Sequence, residues 1–248
     1  SLALALALAL ALALAPLRLM SWTLYRHYKG NHYLRLGEAA HSEDLSPHVL
    51  YRCLYDNPAA RTWLRPQGMF EGTLEDGRPR FTPVARIRLV QPEDLPTVLA
   101  FGYDAWGEGK AFADFIAGYD QSRHHLRGTR YLLETLEGVP VAGLNTLRFR
   151  RGLMGLASVA TAPAQRGRGY ASLLVRGVME LQRFLHGDLR FLLFSEVAPS
   201  VYERHGFRVL PALQNPVEFE LSGRAGEFRN EVPCSAHSLP CFPPGCAS

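Results

Sequence analysis

The chain has 248 residues, which is enough for one large or two small domains. Its 27 lysines and arginines against 23 acidic residues give a net charge of +4, which suits a polyanionic ligand and is too small to indicate nucleic-acid binding by itself. Three of the four cysteines lie in the last fifteen residues, a pattern that does not form a disulfide framework, so we expect a cytoplasmic protein.

The first segment, residues 2–15, is a pure alternation of leucine and alanine that ends at Pro16. As a helix it spans about 21 Å, short of the ~30 Å hydrocarbon core of a membrane. A signal-peptide core has this length, but the proline hinders cleavage and no basic flank precedes the run. Leucine at every second position also surrounds a helix instead of forming one stripe. We interpret residues 1–20 as a low-complexity leader outside the fold, either a translated short repeat or an over-extended start before Met20.

Residues 22–83 carry several short strand patterns separated by turn residues, with little helical period. This favours a small β-rich domain, for which an SH3-like barrel is one natural closure. Three motifs make the region similar to a short bacterial domain of unknown function: Tyr-Arg-His-x-Lys-Gly at 25–30, His-Ser-Glu at 41–43, and Trp-x-Arg-Pro at 63–66 followed by Met-Phe. Its polar residues form either a ligand pocket or a rim that holds the barrel together, and both interpretations stay open. They are Arg26, His27, Lys29, His41, Glu43 and Arg65.

From residue 85 to residue 222 the pattern becomes mixed α and β. A strand at 87–90 precedes a helix that opens with prolines and acids at 91–96, and a second helix is predicted over 110–119. A hairpin covers 130–149, a strand 154–161 and a helix about 169–184, and further strands extend to Leu221. We therefore predict an α+β fold with a mixed sheet flanked by helices. Residues 223–248 lack periodicity and are predicted to be a disordered tail.

The segment from Ser158 to Ala171 carries the main functional signal, because a strand runs into a turn rich in glycine and arginine and a helix follows at once. Glycines let successive N–H groups converge, and the helix start adds free donors and the positive end of the helix dipole. The turn therefore predicts a pyrophosphate site. It lacks the Gly-Lys-Ser/Thr of a nucleotide P-loop and a full Gly-x-Gly-x-x-Gly, which argues against both nucleoside triphosphates and dinucleotides.

The turn fits Arg-x-x-Gly-x-Ala at 166–171, and residues 202–207 read Tyr-Glu-Arg-x-Gly-Phe. On these two motifs the chain resembles the GNAT family of N-acetyltransferases. The resemblance implies a GNAT-type sheet, acetyl-CoA as co-substrate and Tyr202 as the acid that protonates the leaving thiolate. It also implies a set of residues that bind acetyl-CoA. They are Val159, Ala160, Thr161, Arg166, Gly167, Arg168, Gly169, Tyr170, Ala171, Ser172 and Ser195, the last in place of the asparagine that many members carry.

The strand that ends at Thr161 contains no carboxylate, so the general base must come from another segment. Glu196 follows the fifth strand of the implied fold and is our candidate, whereas Asp104 and Glu108 are candidates for binding a cationic substrate. We expect an amine acceptor, either a small molecule or a protein, and no metal, no membrane and no nucleic acid as partners; a homodimer stays open. The alternative is a non-catalytic two-domain protein that senses acyl-CoA or binds another ligand.

Overall fold

The computed structural model describes residues 20–121, 128–150, 152–187, 189–195 and 197–209. The described strands are β1 (Ser21–His27), β2 (His32–Ala40), β3 (Pro47–Cys53), β4 (Thr62–Pro66), β5 (Phe81–Leu89), β6 (Thr129–Glu134), β7 (Pro140–Arg150), β8 (Leu153–Thr161) and β9 (Arg190–Leu192). The described helices are α1 (Gln67–Glu71), α2 (Leu95–Ala100), α3 (Tyr103–Trp106), α4 (Phe112–Gln121), α5 (Tyr170–His186) and α6 (Ser200–Glu203), with 3-10 turns at Pro92–Asp94 and Pro163–Gln165.

All of the described strands form one sheet, in the order β4-β3-β2-β1-β5-β6-β7-β8-β9. Neighbouring strands are antiparallel except β8 and β9, which are parallel. The mixed sheet with helices agrees with the predicted α+β class. The β-rich N-terminal region is also present, but its described strands pair in an open, linear order with β4 at the edge, and not as a closed barrel.

The two regions that the sequence distinguishes, residues 22–83 (the N-terminal half) and residues 85–222, share β5. This strand pairs with β1 along Phe81–Arg88 and with β6 along Arg86–Leu89. The border that the sequence predicts between residues 83 and 85 therefore falls inside a single strand. The N-terminal half keeps its own aromatic core, in which Phe70 of α1 stacks on Phe81 with ring centroids 4.2 Å apart.

The helix α5 crosses the sheet and packs on strands of both halves. Its core-facing side chains, including Leu174 and Val178, are fully buried together with Leu24 of β1 and Ile87 of β5. Gly177 makes this approach close, because a Cβ there would lie 2.4 Å from the Ile87 side chain. The helix predicted at about 169–184 is thus confirmed, and it joins the N-terminal half to the rest of the fold.

Buried charges add a second connection between the halves. Glu180 of α5 is 6% exposed and accepts two hydrogen bonds from Arg52 of β3, at 2.7 and 3.0 Å. Arg61 and Arg183 also lie within salt-bridge distance of this carboxylate, at 3.3 and 2.5 Å. A buried carboxylate needs such partners, since an unpaired charge in the interior is strongly disfavoured.

Strands β8 and β9 separate beyond a short paired segment. Their parallel pairing covers only Leu153–Gly155 against Arg190–Leu192, whereas β8 continues to Thr161. The rest of that edge of β8 has no strand partner among the described residues, so peptide groups that a neighbouring strand would occupy can bond to a ligand there. Residues 1–19 of the predicted leader, most of the closing strands and the predicted tail lie outside the described residues. No helix within the described ranges is both long enough and apolar enough to cross a membrane.

Candidate active site

Strand β8 carries a bulge where it separates from β9. Gly143 of β7 pairs with Ala160, but Asn145 pairs with Ala157, so Ser158 and Val159 together oppose a single residue of β7. Ser158 has φ of 51°, a left-handed conformation that non-glycine residues adopt at a cost and mainly at turns or functional sites. The bulge redirects the peptide groups of the predicted acetyl-CoA residues Val159, Ala160 and Thr161.

The predicted pyrophosphate turn lies between β8 and α5. Gly167 and Gly169 have φ of 78° and 83°, and a Cβ at either position would meet open space. Glycine is favoured at both positions because φ is positive, and not because a side chain would clash with neighbouring atoms. Within the described chain, the N–H groups of Gly167 and of Gly169 through Ser172 donate to no other backbone group. We call this set of free N–H groups the cradle.

The electrostatic setting of the cradle is favourable to an anion. It lies at the N-terminus of α5, which runs for 17 residues, so the positive end of a long helix dipole points at it. The guanidinium of Arg168 is exposed and makes no ion pair or hydrogen bond within the described ranges. Backbone donors, helix dipole and a nearby free arginine are the features of an anion site at a helix start.

Arg166 has another role in this structure. Its guanidinium forms a bidentate pair with Asp104 of α3, at 2.6 and 2.8 Å, and donates to the carbonyl oxygens of Phe101 and Thr161. Its own backbone N–H donates to Pro163. Arg166 therefore braces the turn against the segment that joins α2 to α3. Asp104 and Glu108 are the carboxylates predicted to bind a cationic substrate. Asp104 is paired with Arg166, and Glu108 is paired with Lys110 at the surface.

Tyr202, the predicted general acid, is in α6 and packs edge-on against Phe207, with centroids 5.9 Å apart. Burial raises the pKa of its phenol above the usual value of 10. The phenol is therefore protonated at neutral pH, as an acid that must give a proton to a thiolate requires.

A hydrogen-bonded chain attaches α6 to the start of α5. Arg176 of α5 donates from Nε to His205 Nδ1, at 2.9 Å, and the other ring nitrogen of His205 lies 3.1 Å from Ser172 Oγ. An arginine can only donate, so Nδ1 must be the acceptor and Nε2 must carry the proton towards Ser172. Burial, with the charges of Arg176 and Arg204, lowers the pKa of His205 to about 4.

His205 was not among the predicted site residues, although it lies inside the Tyr-Glu-Arg-x-Gly-Phe motif at the variable position. Its contact with Ser172 brings the segment that carries Tyr202 next to the last residue of the cradle. Nothing in the local pattern could reveal this, since the two residues are separated by 33 positions.

The remaining predicted residues are placed as follows. The hydroxyl of Ser195 donates to the Val197 carbonyl oxygen at 2.9 Å, Tyr170 packs against the main core and Ala171 lies in the first turn of α5. Glu196, the predicted base, lies outside the described residues. The described ranges contain no group of three or more His, Cys, Asp or Glu side chains that could hold a metal ion.

A cavity of about 910 Å³ opens beside Tyr202, between α5, the β9 segment and the N-terminal half. Ser195, Tyr202 and His205 line it, and so do arginines of α5 such as Arg176. No cradle residue lines it, so this cavity is distinct from the predicted pyrophosphate site.

Comparisons with known proteins match two family models in succession. Residues 23–83 match a protein of unknown function, DUF1653, and residues 96–207 match the acetyltransferase (GNAT) family. A DUF1653 protein of known structure from Bordetella bronchiseptica is 33% identical over 27% of this chain and 88% of its own, with a TM-score of 0.24.

Two acetyltransferases of known structure match the second segment. One is from Trypanosoma brucei, 19% identical over 53% of this chain and 97% of its own, with a TM-score of 0.40. The other is a GNAT family acetyltransferase from Brucella melitensis in complex with acetyl-CoA, 20% identical over 50% and 83%, with a TM-score of 0.38. Among curated proteins no match was found.

Proposed function

Since the chain belongs to the DUF1653 family over residues 23–83 and carries a GNAT acetyltransferase domain over residues 96–207, we propose that it transfers the acetyl group of acetyl-CoA to an amine. The acceptor is the amine of a small molecule or of a protein. The N-terminal half supplies no reacting group in this proposal; it supports α5 through the shared sheet and through Arg52 and Glu180. We place the protein in the cytoplasm, in keeping with the free, buried thiol of Cys53.

The cradle is the observation that carries the proposal. The pyrophosphate of acetyl-CoA would accept hydrogen bonds from the N–H groups of Gly167 and of Gly169 through Ser172, with Arg168 adding charge. The pantetheine arm would then lie along the unpaired edge of β8, where peptide groups can bond to it like an added strand. This places the thioester near the bulge at Ser158 and Val159.

The transfer itself needs a stabilised oxyanion and two proton movements. The neutral amine nitrogen attacks the thioester carbonyl carbon, and the negative charge that develops on the carbonyl oxygen is stabilised by backbone N–H groups of β8. Collapse of the tetrahedral intermediate breaks the C–S bond, and Tyr202 donates its proton to the departing thiolate. The attacking nitrogen loses a proton to a base, for which Glu196 remains our proposal, acting directly or through water.

The test is release of free thiol from acetyl-CoA, measured with the full chain over a panel of amines. We expect turnover with at least one amine, and we expect Tyr202→Phe to lower kcat by about 100-fold, the range of general acid catalysis. The KM for acetyl-CoA should change little, because the phenol acts on the leaving group. Tyr28→Phe, which removes an exposed hydroxyl in the β1–β2 turn, is the matched control. Acetyl-CoA binding without thiol release from any amine would favour the sensing protein instead.

A further inference from the structure

The N-terminal half contains cations that no carboxylate neutralises. Most of its arginines are paired: Arg35 with Glu38, Arg52 with Glu180, Arg61 with Asp56 and Arg78 with Asp76. Lys29, Arg65 and Arg80 form no salt bridge with any residue that the structure describes. Arg26 also forms no salt bridge with a described residue. It is next to His27 on β1, however, and adjacent residues of a strand point to opposite faces of the sheet.

The charges of these three cations all act on one histidine at the end of β1. The ring of His27 lies 4.7 Å from the ring of Phe81 and 4.3 Å from that of Tyr28, centroid to centroid. Lys29 Nζ is 5.8 Å from the Tyr28 ring centroid, and the backbone carbonyl of Arg80 accepts the Tyr28 N–H.

Arg65 of β4 contacts the same aromatic cluster through Tyr51. Its Nε donates to the hydroxyl of Tyr51 at 3.3 Å, and the Tyr51 ring packs on Phe81 at 5.6 Å. Phe81 and Tyr51 are buried, so the cations stand at the rim of an aromatic floor that cannot move aside. We call the set of His27, Lys29, Arg65 and Arg80 the His27 cluster.

We propose that the His27 cluster is a binding site for a dianionic oxyanion, such as the phosphate group of a small molecule. Three cations drawn from three separate segments repel one another, and an anion bound between them relieves this repulsion. A dianion offsets most of this charge and offers several acceptor oxygens to guanidinium and ammonium donors. The half-buried position of His27, Arg65 and Arg80 strengthens each contact by limiting solvent screening.

The charged groups that act on His27 are all cationic. Its pKa is lowered by burial and then by the charges of Arg80, Arg65 and Lys29, and no carboxylate is among the groups that shift it. Its ring neighbours are the aromatic side chains of Tyr28, Tyr33 and Phe81. An anion bound among these groups would favour the imidazolium and raise the pKa.

The experiment titrates the His27 ring protons by NMR on the full chain, with inorganic phosphate as the probe and acetate at equal ionic strength as the comparison. We expect saturable binding of phosphate and a rise in the pKa of His27 of at least ~0.5 unit, with a smaller effect of acetate. Arg80→Gln and the exposed Lys29→Gln should each weaken phosphate binding several-fold.

Arg78→Gln is the control, because it removes the same charge from an arginine that is already paired with Asp76. It should leave both the affinity and the pKa response unchanged. The proposal is overturned if the pKa of His27 is the same in phosphate as in acetate. It is also overturned if Arg78→Gln weakens phosphate binding as much as Arg80→Gln does. Lys29→Gln is made beside Arg80→Gln because Lys29 is exposed, so its replacement leaves the buried rings of Phe81 and Tyr51 intact.

Discussion

Replacing Glu180 by glutamine tests how the two halves of the chain are connected. The carboxylate is buried and bonded to Arg52, whose side chain is only 11% exposed. The glutamine side chain has nearly the same shape but no charge, so the guanidinium of Arg52 stays buried without its counter-ion. Arg61 and Arg183 lose a partner as well, although their side chains are 47% and 24% exposed and water compensates them.

The expected cost follows from these exposures. Breaking a buried ion pair by removing one partner costs about 3–5 kcal/mol, whereas each exposed partner adds only about 0–1 kcal/mol. We take the lower end, about 3 kcal/mol, because the glutamine amide oxygen still accepts a hydrogen bond. For a chain of this size that corresponds to a fall in Tm of about 6–12 °C.

Urea and thermal unfolding, followed by circular dichroism, measure this change. Asp76→Asn is the matched control, since it removes one carboxylate from an exposed pair with Arg78 and should cost less than about 1 kcal/mol. Replacing both partners, as Arg52→Met with Glu180→Leu, should recover most of the loss because no charge is left unpaired. The reasoning is refuted if Glu180→Gln costs no more than the control, or if the double variant is less stable than Glu180→Gln.

Two further predictions concern the site. Because the pKa of His205 is lowered to about 4 from about 6.5, the unfolded chain binds the proton first, and the free energy of unfolding should fall as the pH drops from about 7 to about 4. His205→Asn should flatten this part of the pH profile and lower kcat for acetyl transfer; an unchanged profile would contradict the assignment. Arg168→Gln should raise the Kd for acetyl-CoA several-fold at low salt and less at high salt, measured by calorimetry, and equal effects at both salt concentrations would contradict the role of its charge.

The local parts of the site could be predicted from the sequence. Gly167 and Gly169 next to a strand and a helix indicate a turn with free N–H groups, and the structure has that turn. A periodic apolar pattern likewise predicts α5 to within two residues of its ends. The turn and the helix depend mainly on residues that are close together in the chain, so the sequence pattern is enough to predict them.

The parts that could not be predicted depend on residues far apart in the chain. Arg166 binds Asp104, 62 positions away, and a lone arginine in a turn gives no sign of whether it faces a ligand or a carboxylate. The strand β5 likewise gives no local signal that it pairs on both edges. An open sheet and a closed barrel require the same alternation of residues. The sequence pattern therefore could not show that the N-terminal strands continue into the second part of the sheet instead of closing into a separate barrel.

The most direct test of the cradle is the affinity for acetyl-CoA when its backbone is altered. Gly169→Val should raise the Kd, measured by isothermal titration calorimetry, by at least ~10-fold, because a branched side chain strains a φ of 83° and projects into the space that the pyrophosphate needs. Gly138→Val makes the same exchange at a φ of 82° in the β6–β7 hairpin, also in open space, and should leave the Kd unchanged. If a folded Gly169→Val protein binds acetyl-CoA as tightly as the Gly138→Val protein, the turn before α5 does not bind the pyrophosphate.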